Sequence, residues 1–160
     1  MTCTGTLWRA AKSLADLYGV GVSAHISPVS ADTDGFVANT GRRPIEHLAE
    51  LGVLGPDVSL THVVHVGGGE VRLLAETGTT VTQCPFAVLR GGNGASTSGQ
   101  FPEMQAAGVN LMLGTDGAEH ADVMRAVHLL AGLFKDARCD TTLFGLRMRW
   151  RAARSTARMP

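Results

Sequence analysis

The hydrophobic period of this chain switches repeatedly between two spacings, and that alternation constrains the fold more than any other feature. Four short runs rich in β-branched and apolar residues read as strands: "VGVSAHI" (20–26), "VSLTHVVHV" (58–66), "TTVTQCP" (79–85) and "VNLMLGTD" (109–116). Between and around them lie segments with apolar residues at helical spacing: "TLWRAAKSLADLYG" (6–19), "RPIEHLAELG" (43–52), "EVRLLAETG" (70–78), "FPEMQAAG" (101–108) and "ADVMRAVHLLAGLFKDA" (121–137). Pro44 stands near a helix start, and Gly19, Gly52 and Gly78 stand where helices should stop. Strands recurring at roughly 20–40 residues with helices between them imply βαβ units and a parallel sheet. Near-continuous apolar strands are what a sheet covered on both faces requires. Two architectures satisfy the pattern: an open doubly wound sheet, or part of a (βα)8 barrel.

Length and charge narrow the choice. A chain of 160 residues suits one domain, and its 44% apolar, 18% charged composition is that of a globular protein. No apolar run reaches the length of a membrane span, and the first residues lack the basic start and apolar block of a signal peptide. Cys3, Cys84 and Cys139 are too scattered for a disulfide framework or a C-x-x-C site, so a reducing, cytoplasmic location is expected. The net charge of zero hides a split. Residues 1–140 hold nine basic and fourteen acidic side chains, whereas residues 141–160 hold five Arg and no acid. The glycines of "LRGGNGASTSG" (89–99) lack the spacing of a phosphate cradle and read as a flexible βα-loop.

The chemistry-bearing residues gather where the strands end. His25 ends the first, His62 and His65 lie in the second, Gln83 and Cys84 end the third, and Asp116, in "LMLGTDGAEH", ends the fourth. Barrels and open α/β sheets both build their active sites at that edge. Imidazole and carboxylate are common ligands of a hydrolytic divalent ion. Each residue also has an ordinary reading: a lone strand-end His is commonly hydrogen-bonded and structural, and an Asp before Gly commonly caps a turn. His62 and His65, three apart, should face opposite sides of an extended strand, so at most one points into a site. His47 and His128 fall within helices and read as structural or surface residues, while His120, in the loop beside Asp116, is a candidate substrate contact.

Taken together, "GRRPIEHLAELGVLGPDVSLTHVVHV", "EVRLLAETGTTVTQCP" and "FPEMQAAGVNLMLGTDG" resemble the second half of the metal-dependent amidohydrolases, in the branch of cytosine, guanine and adenosine-type deaminases and triazine hydrolases. The resemblance covers about residues 15–145. It implies a (βα)8 barrel with a divalent metal, zinc or iron, at the carboxyl ends of the strands. His25, in "AHIS", matches the metal-binding His of the fifth strand. His62, in "LTHVVH", matches the sixth-strand His that contacts the attacking water or substrate. Asp116, in "GTDG", matches the last-strand Asp that binds the metal and acts as the base. The implied reaction is metal-assisted hydrolysis of a C–N (or C–Cl) bond in a small heterocycle.

Three departures qualify that expectation. The chain has no H-x-H, the family's opening metal motif. Pro28 stands where the family commonly has a proton-shuttling Glu, with Asp32 and Asp34 nearby as substitutes. After Phe144 the family's helix gives way to "GLRMRWRAARSTARMP", and one choice of codons shifted by one nucleotide turns "MRWRAARSTARMP" into a family-like segment, which suggests a frame slip.

The sequence therefore predicts an α/β fold made of about the last four βα units of a barrel. Residues 1–144 form the half-barrel and 145–160 an Arg-rich tail of non-native character. The expected function is that of a truncated hydrolase with impaired activity, whose partners are a small-molecule substrate and, through closure of two half-barrels, a second copy. A non-catalytic binding protein is the alternative, with nucleic acid a disfavoured partner and no membrane.

Overall fold

The computed structural model describes residues 3–117 and 122–145. Helix α1 (Gly5–Tyr18) leads into strand β1 (Val22–Ile26), followed by α2 (Ser30–Thr40) and α3 (Pro44–Glu50). Then come β2 (Val58–His62), α4 (Gly68–Thr77), β3 (Thr80–Gln83), the short helices α5 (Pro85–Arg90), α6 (Ala95–Ser98) and α7 (Phe101–Ala106), β4 (Leu111–Leu113) and α8 (Val123–Arg138). The strands pair in sequence order, β1-β2-β3-β4, and every pairing is parallel. The predicted parallel α/β sheet is therefore present.

Several expectations change. The segment after β1 carries a helix, α2, that the periodicity does not reveal; Thr33 is its one buried residue, so it has no apolar stripe to detect. Asp32 and Asp34 are exposed on that helix rather than placed in a loop. The glycine-rich stretch expected as a flexible loop is partly helical, through α5 and α6. Finally, β2 ends at His62, where the backbone turns left-handed (φ 73° at His62 and 50° at Val63), so His65 lies beyond the strand.

Register sorts the strand residues into two faces, because parallel partners share a side and neighbours along a strand alternate. One face carries Ala24, Leu60, Val81 and Leu111 in a single row, with Val22 and Val58 in the next. It packs under the helices: Leu60 and Val81 are fully buried, with Ile45 and Leu48 of α3, Leu74 of α4 and Phe101 of α7. Phe134 of α8 meets Phe101 with ring centroids 5.6 Å apart and Phe144 at 5.5 Å, which closes the core against the C-terminal helix. The other face carries Ser23, Ser59 and Thr80 in one row and His25, Thr61, Thr82 and Met112 in the next. Ser59 and Thr82 hydroxyls bond at 3.0 Å, and Asn110 donates to Thr80 Oγ1 at 3.0 Å. Ser23 and His25 are exposed. The strands are thus apolar on the helix side and hydroxyl-lined on the other, not apolar on both faces as expected.

The loop that follows β2 is tied down by one buried carboxylate. Glu70, fully buried in the first turn of α4, accepts from Ile45 N at 3.0 Å, from Gly67 N at 2.8 Å and from Arg43 Nε at 2.5 Å. It therefore satisfies open N–H groups at the starts of both α3 and α4. Arg43 also donates through Nη2 to His65 O at 2.9 Å, and Thr33 Oγ1 donates to the same carbonyl at 3.4 Å. Removing this carboxylate orphans two backbone donors and a guanidinium. Glu70→Ala should lower unfolding free energy by about 3–5 kcal/mol, read as an earlier urea midpoint without a change in slope.

Candidate metal centre

Parallel pairing puts the carboxyl ends of β1, β2, β3 and β4 on one edge, and the candidate residues are found there. By register His62 pairs with Ile26 and belongs to the helix-facing row, whereas His25 pairs with Thr61 on the opposite face. The left-handed turn at His62 cancels that separation, and the two imidazoles lie with ring centroids 4.9 Å apart. Asp116, just past β4, also has a left-handed backbone (φ 56°) and accepts a hydrogen bond from Gly117 N at 2.6 Å through Oδ1. Asp and His tolerate this region better than most residues. Its other oxygen, Oδ2, faces His62 Nε2 at 3.6 Å. Cys84, at the end of β3, completes the group: ligand atoms of His62, Cys84 and Asp116 all lie within 4.8 Å of one another.

Burial sets the charge states. His62 is pushed below the ordinary imidazole value by burial and by neighbouring His25, against the opposing pull of Asp116. It is therefore neutral at pH 7, with a lone pair available. Among the described residues its Nδ1 is buried without a hydrogen-bond partner, as are Ser27 Oγ and both side-chain polar atoms of Gln83. The Cys84 thiol is pushed up to about 11, chiefly by burial and then by the Asp116 carboxylate. A neutral imidazole with an open nitrogen, a carboxylate and a thiol, converging at one strand edge, fit a divalent ion.

The structure thus sets the His25 ring beside His62, and gathers His62 with Asp116 and with Cys84, which the sequence placed at a strand end without giving it a role. It takes His65 away: the His65 ring donates from Nε2 to Asn93 O at 2.9 Å, a structural bond. His47 packs at a tilt against Phe36 with centroids 5.4 Å apart, and His128 is exposed on α8. His120 lies outside the described residues, as does the Arg-rich tail beyond Gly145. Glu70 and Arg43, which hold the loop after His62, were missed. The signal available for Glu70 was its place three residues after Gly67, where a helix-start carboxylate caps.

A model of the amidohydrolase family matches residues 1–148. The chain belongs to the amidohydrolase family. A 5'-deoxyadenosine deaminase of Methanopyrus kandleri is 31% identical over 142 residues, covering 87% of this chain and 32% of that protein. A 5-methylthioadenosine/S-adenosylhomocysteine deaminase of Symbiobacterium thermophilum is 36% identical over 126 residues, 77% of this chain and 28% of the relative. Among solved structures, an adenosine deaminase from Xanthomonas campestris with bound zinc superposes with a TM-score of 0.84 at 29% identity, over 95% of this chain and 35% of that one. The zinc complex of the atrazine chlorohydrolase TrzN from Arthrobacter aurescens shares the fold with a TM-score of 0.85 at 22% identity, over 96% and 34%. This amidohydrolase chain spans about a third of the length of these relatives. Its fold is a partial (βα)8 barrel comprising about the last four βα units.

Thiol chemistry checks the electrostatics of the site. Cys3 and Cys139 are exposed and Cys84 is buried. Because its thiol is raised to about 11, Cys84 carries little thiolate at pH 8 and gains it only as the pH nears that value. A colorimetric thiol reagent at pH 8 should therefore modify two cysteines quickly in the folded amidohydrolase chain and the third only after denaturation.

Proposed function

We propose that the strand-end cluster is part of the active site of a metal-dependent hydrolase that cleaves an exocyclic C–N bond of a small nitrogen heterocycle, with purine nucleosides as the substrate class. The observation that carries this reading is the place of His62 at the carboxyl edge of the sheet, with the His25 ring 4.9 Å away between centroids and Asp116 Oδ2 3.6 Å from its Nε2. The relatives named as deaminases of 5'-deoxyadenosine and of 5-methylthioadenosine support the substrate class. His25 and Asp116 would hold the ion, with zinc favoured by the zinc-bound neighbours and iron second. When bound, the ion supplies the Lewis acidity that makes water a nucleophile near neutral pH. Asp116 Oδ2 is the atom that takes the proton from the attacking water. Its side chain is 26% exposed, so substrate and solvent reach it. His62, kept neutral by burial, presents an uncharged ring to the water or the heterocycle. His120 belongs to this proposal as a contact on the substrate side.

A catalytic zinc site takes three protein ligands. His25 and Asp116 provide two, and the sequence contains no H-x-H, so residues 1–160 by themselves are proposed to have impaired activity. A second reading rests on the sheet edges. Among the described residues β1 and β4 each pair on one side only, and Leu14, Leu17, Tyr18 and Val20 are exposed beside β1 while Met124 is exposed on α8. Two copies joined edge to edge would cover these surfaces and abolish the open edges. A sizing measurement that finds monomer at all concentrations removes this second reading.

The catalytic reading is tested by ammonia release from 5'-deoxyadenosine with the zinc-loaded protein, alone and joined to a barrel half that carries H-x-H. Asp116→Asn should lower the rate by roughly 10²–10⁴, and His25→Ala should abolish metal-dependent turnover. A rate indifferent to both substitutions, or no ammonia even from the joined protein, overturns it.

A further inference from the structure

The proposed reaction needs the His62 ring in one place, yet the residues of its turn do not favour that place. By register His62 belongs to the helix-facing side of the sheet. Two consecutive non-glycine residues at positive φ, His62 at 73° and Val63 at 50°, carry its ring out beside His25 and Asp116. A β-branched residue such as Val63 takes up positive φ only where its surroundings impose it. The force that holds the turn must therefore come from outside it.

One side of the loop is held by backbone. Val63 N donates to Ile26 O at 3.0 Å, and Val64 N and His65 N donate to Ser27 O at 3.1 and 3.2 Å. Ser27 itself has φ 48°, so this anchor shares the strain. The other side is held by side chains that converge on one atom, the His65 carbonyl oxygen. Arg43 Nη2 donates to it at 2.9 Å and Thr33 Oγ1 at 3.4 Å. Arg43 does so while its Nε pairs with Glu70 Oε2. A planar guanidinium serves a carboxylate and a carbonyl in fixed directions at once, whereas an ammonium is a single point without that fork. Glu70 is also fixed independently of Arg43, because Ile45 N and Gly67 N both donate to its carboxylate. The grip on His65 is thus separable from the joint between α3 and α4.

We propose that Arg43 is a positioning residue for His62. By pairing with Glu70 through Nε and donating to His65 O through Nη2, it holds the left-handed turn that keeps the imidazole beside His25 and Asp116. Arg43 acts through the His65 carbonyl, with Thr33 as the second, weaker donor to the same atom. The proposal rests on the preceding reading in one respect, that His62 faces the water or the heterocycle.

The test compares Arg43→Lys, which keeps a positive charge beside Glu70, with Arg42→Lys as a control, since Arg42 pairs with exposed Glu50. In the full chain with labelled histidines, the wild type should give an NMR cross-peak between the ring protons of His25 and His62, whose centroids are 4.9 Å apart. Arg43→Lys should weaken that cross-peak and speed exchange of the Val63, Val64 and His65 amides at least about tenfold. The cross-peak between Phe101 and Phe134 in the core should stay. Thr33→Val removes the second donor and no charge; it should act in the same direction to a smaller degree, and it decides the matter if Arg43→Lys does not fold. In the protein joined to a barrel half that carries H-x-H, Arg43→Lys should lower kcat roughly 10–100-fold with KM changed less than about twofold. Arg42→Lys should alter none of these readings. An intact His25–His62 cross-peak with unchanged loop exchange in both Arg43→Lys and Thr33→Val overturns the proposal. A weakened cross-peak with kcat unchanged overturns its link to the reaction. A weakened cross-peak where the joined wild type releases no ammonia leaves the positioning role standing and overturns the preceding reading instead.

Discussion

Everything at the candidate site depends on parallel pairing in sequence order. A parallel strand pair points both carboxyl ends the same way, and each return must cross the sheet through a helix. Four such strands therefore deliver His25, His62, Cys84 and Asp116 to one edge, although they are spread through most of the chain. The helices that make those crossings bury the apolar face, with Leu60 and Val81 under Ile45, Leu48, Leu74 and Phe101. The opposite face keeps its hydroxyl rows and its exposed Ser23 and His25. Stability and chemistry thus occupy different sides and ends of the same sheet.

The strand ends need more than pairing to meet. His62 starts on the wrong face by register and reaches His25 only because the backbone turns left-handed at His62 and Val63. That turn must be held against a cost of order 1–3 kcal/mol per unfavourable residue. The holding elements lie immediately after it: Val63 N donates to Ile26 O, Val64 N and His65 N donate to Ser27 O, and the His65 carbonyl is gripped by Arg43, itself locked to Glu70. A carboxylate on α4 that touches no candidate ligand thereby fixes where a candidate ligand points.

Much of the fold was legible because its signals are local and periodic. The four strands, α1, α3, α4, α7 and α8 all follow from short apolar runs and helical stripes, with glycine stops at Gly19 and Gly78 that take left-handed caps. Helix α2 was not legible because it buries only Thr33, so no stripe marks it. The ends of β2 were overextended because "VVHV" looks like continuing strand; the turn at His62 is imposed by contacts with Ile26, Ser27 and Arg43, which no window of sequence contains. Of the site, His25, His62 and Asp116 were legible as strand-end polar residues. That Cys84 joins them depends on the approach of β4 at Gly114, and that approach is a property of the sheet.

By itself the sequence determined the period of every major strand and most helices, the parallel α/β class, and the set of imidazole, thiol and carboxylate groups available at the strand ends. Those are consequences of residue type and spacing along a chain. Only the tertiary structure decided which of them meet. Alternation along a strand assigns His25 and His62 to opposite faces, and a left-handed turn held by a partly buried ion pair overrides it. Contact between groups far apart in sequence is set by register, twist and the closest approach two backbones can make, and these are fixed by the packed core rather than by any stretch of residues read alone.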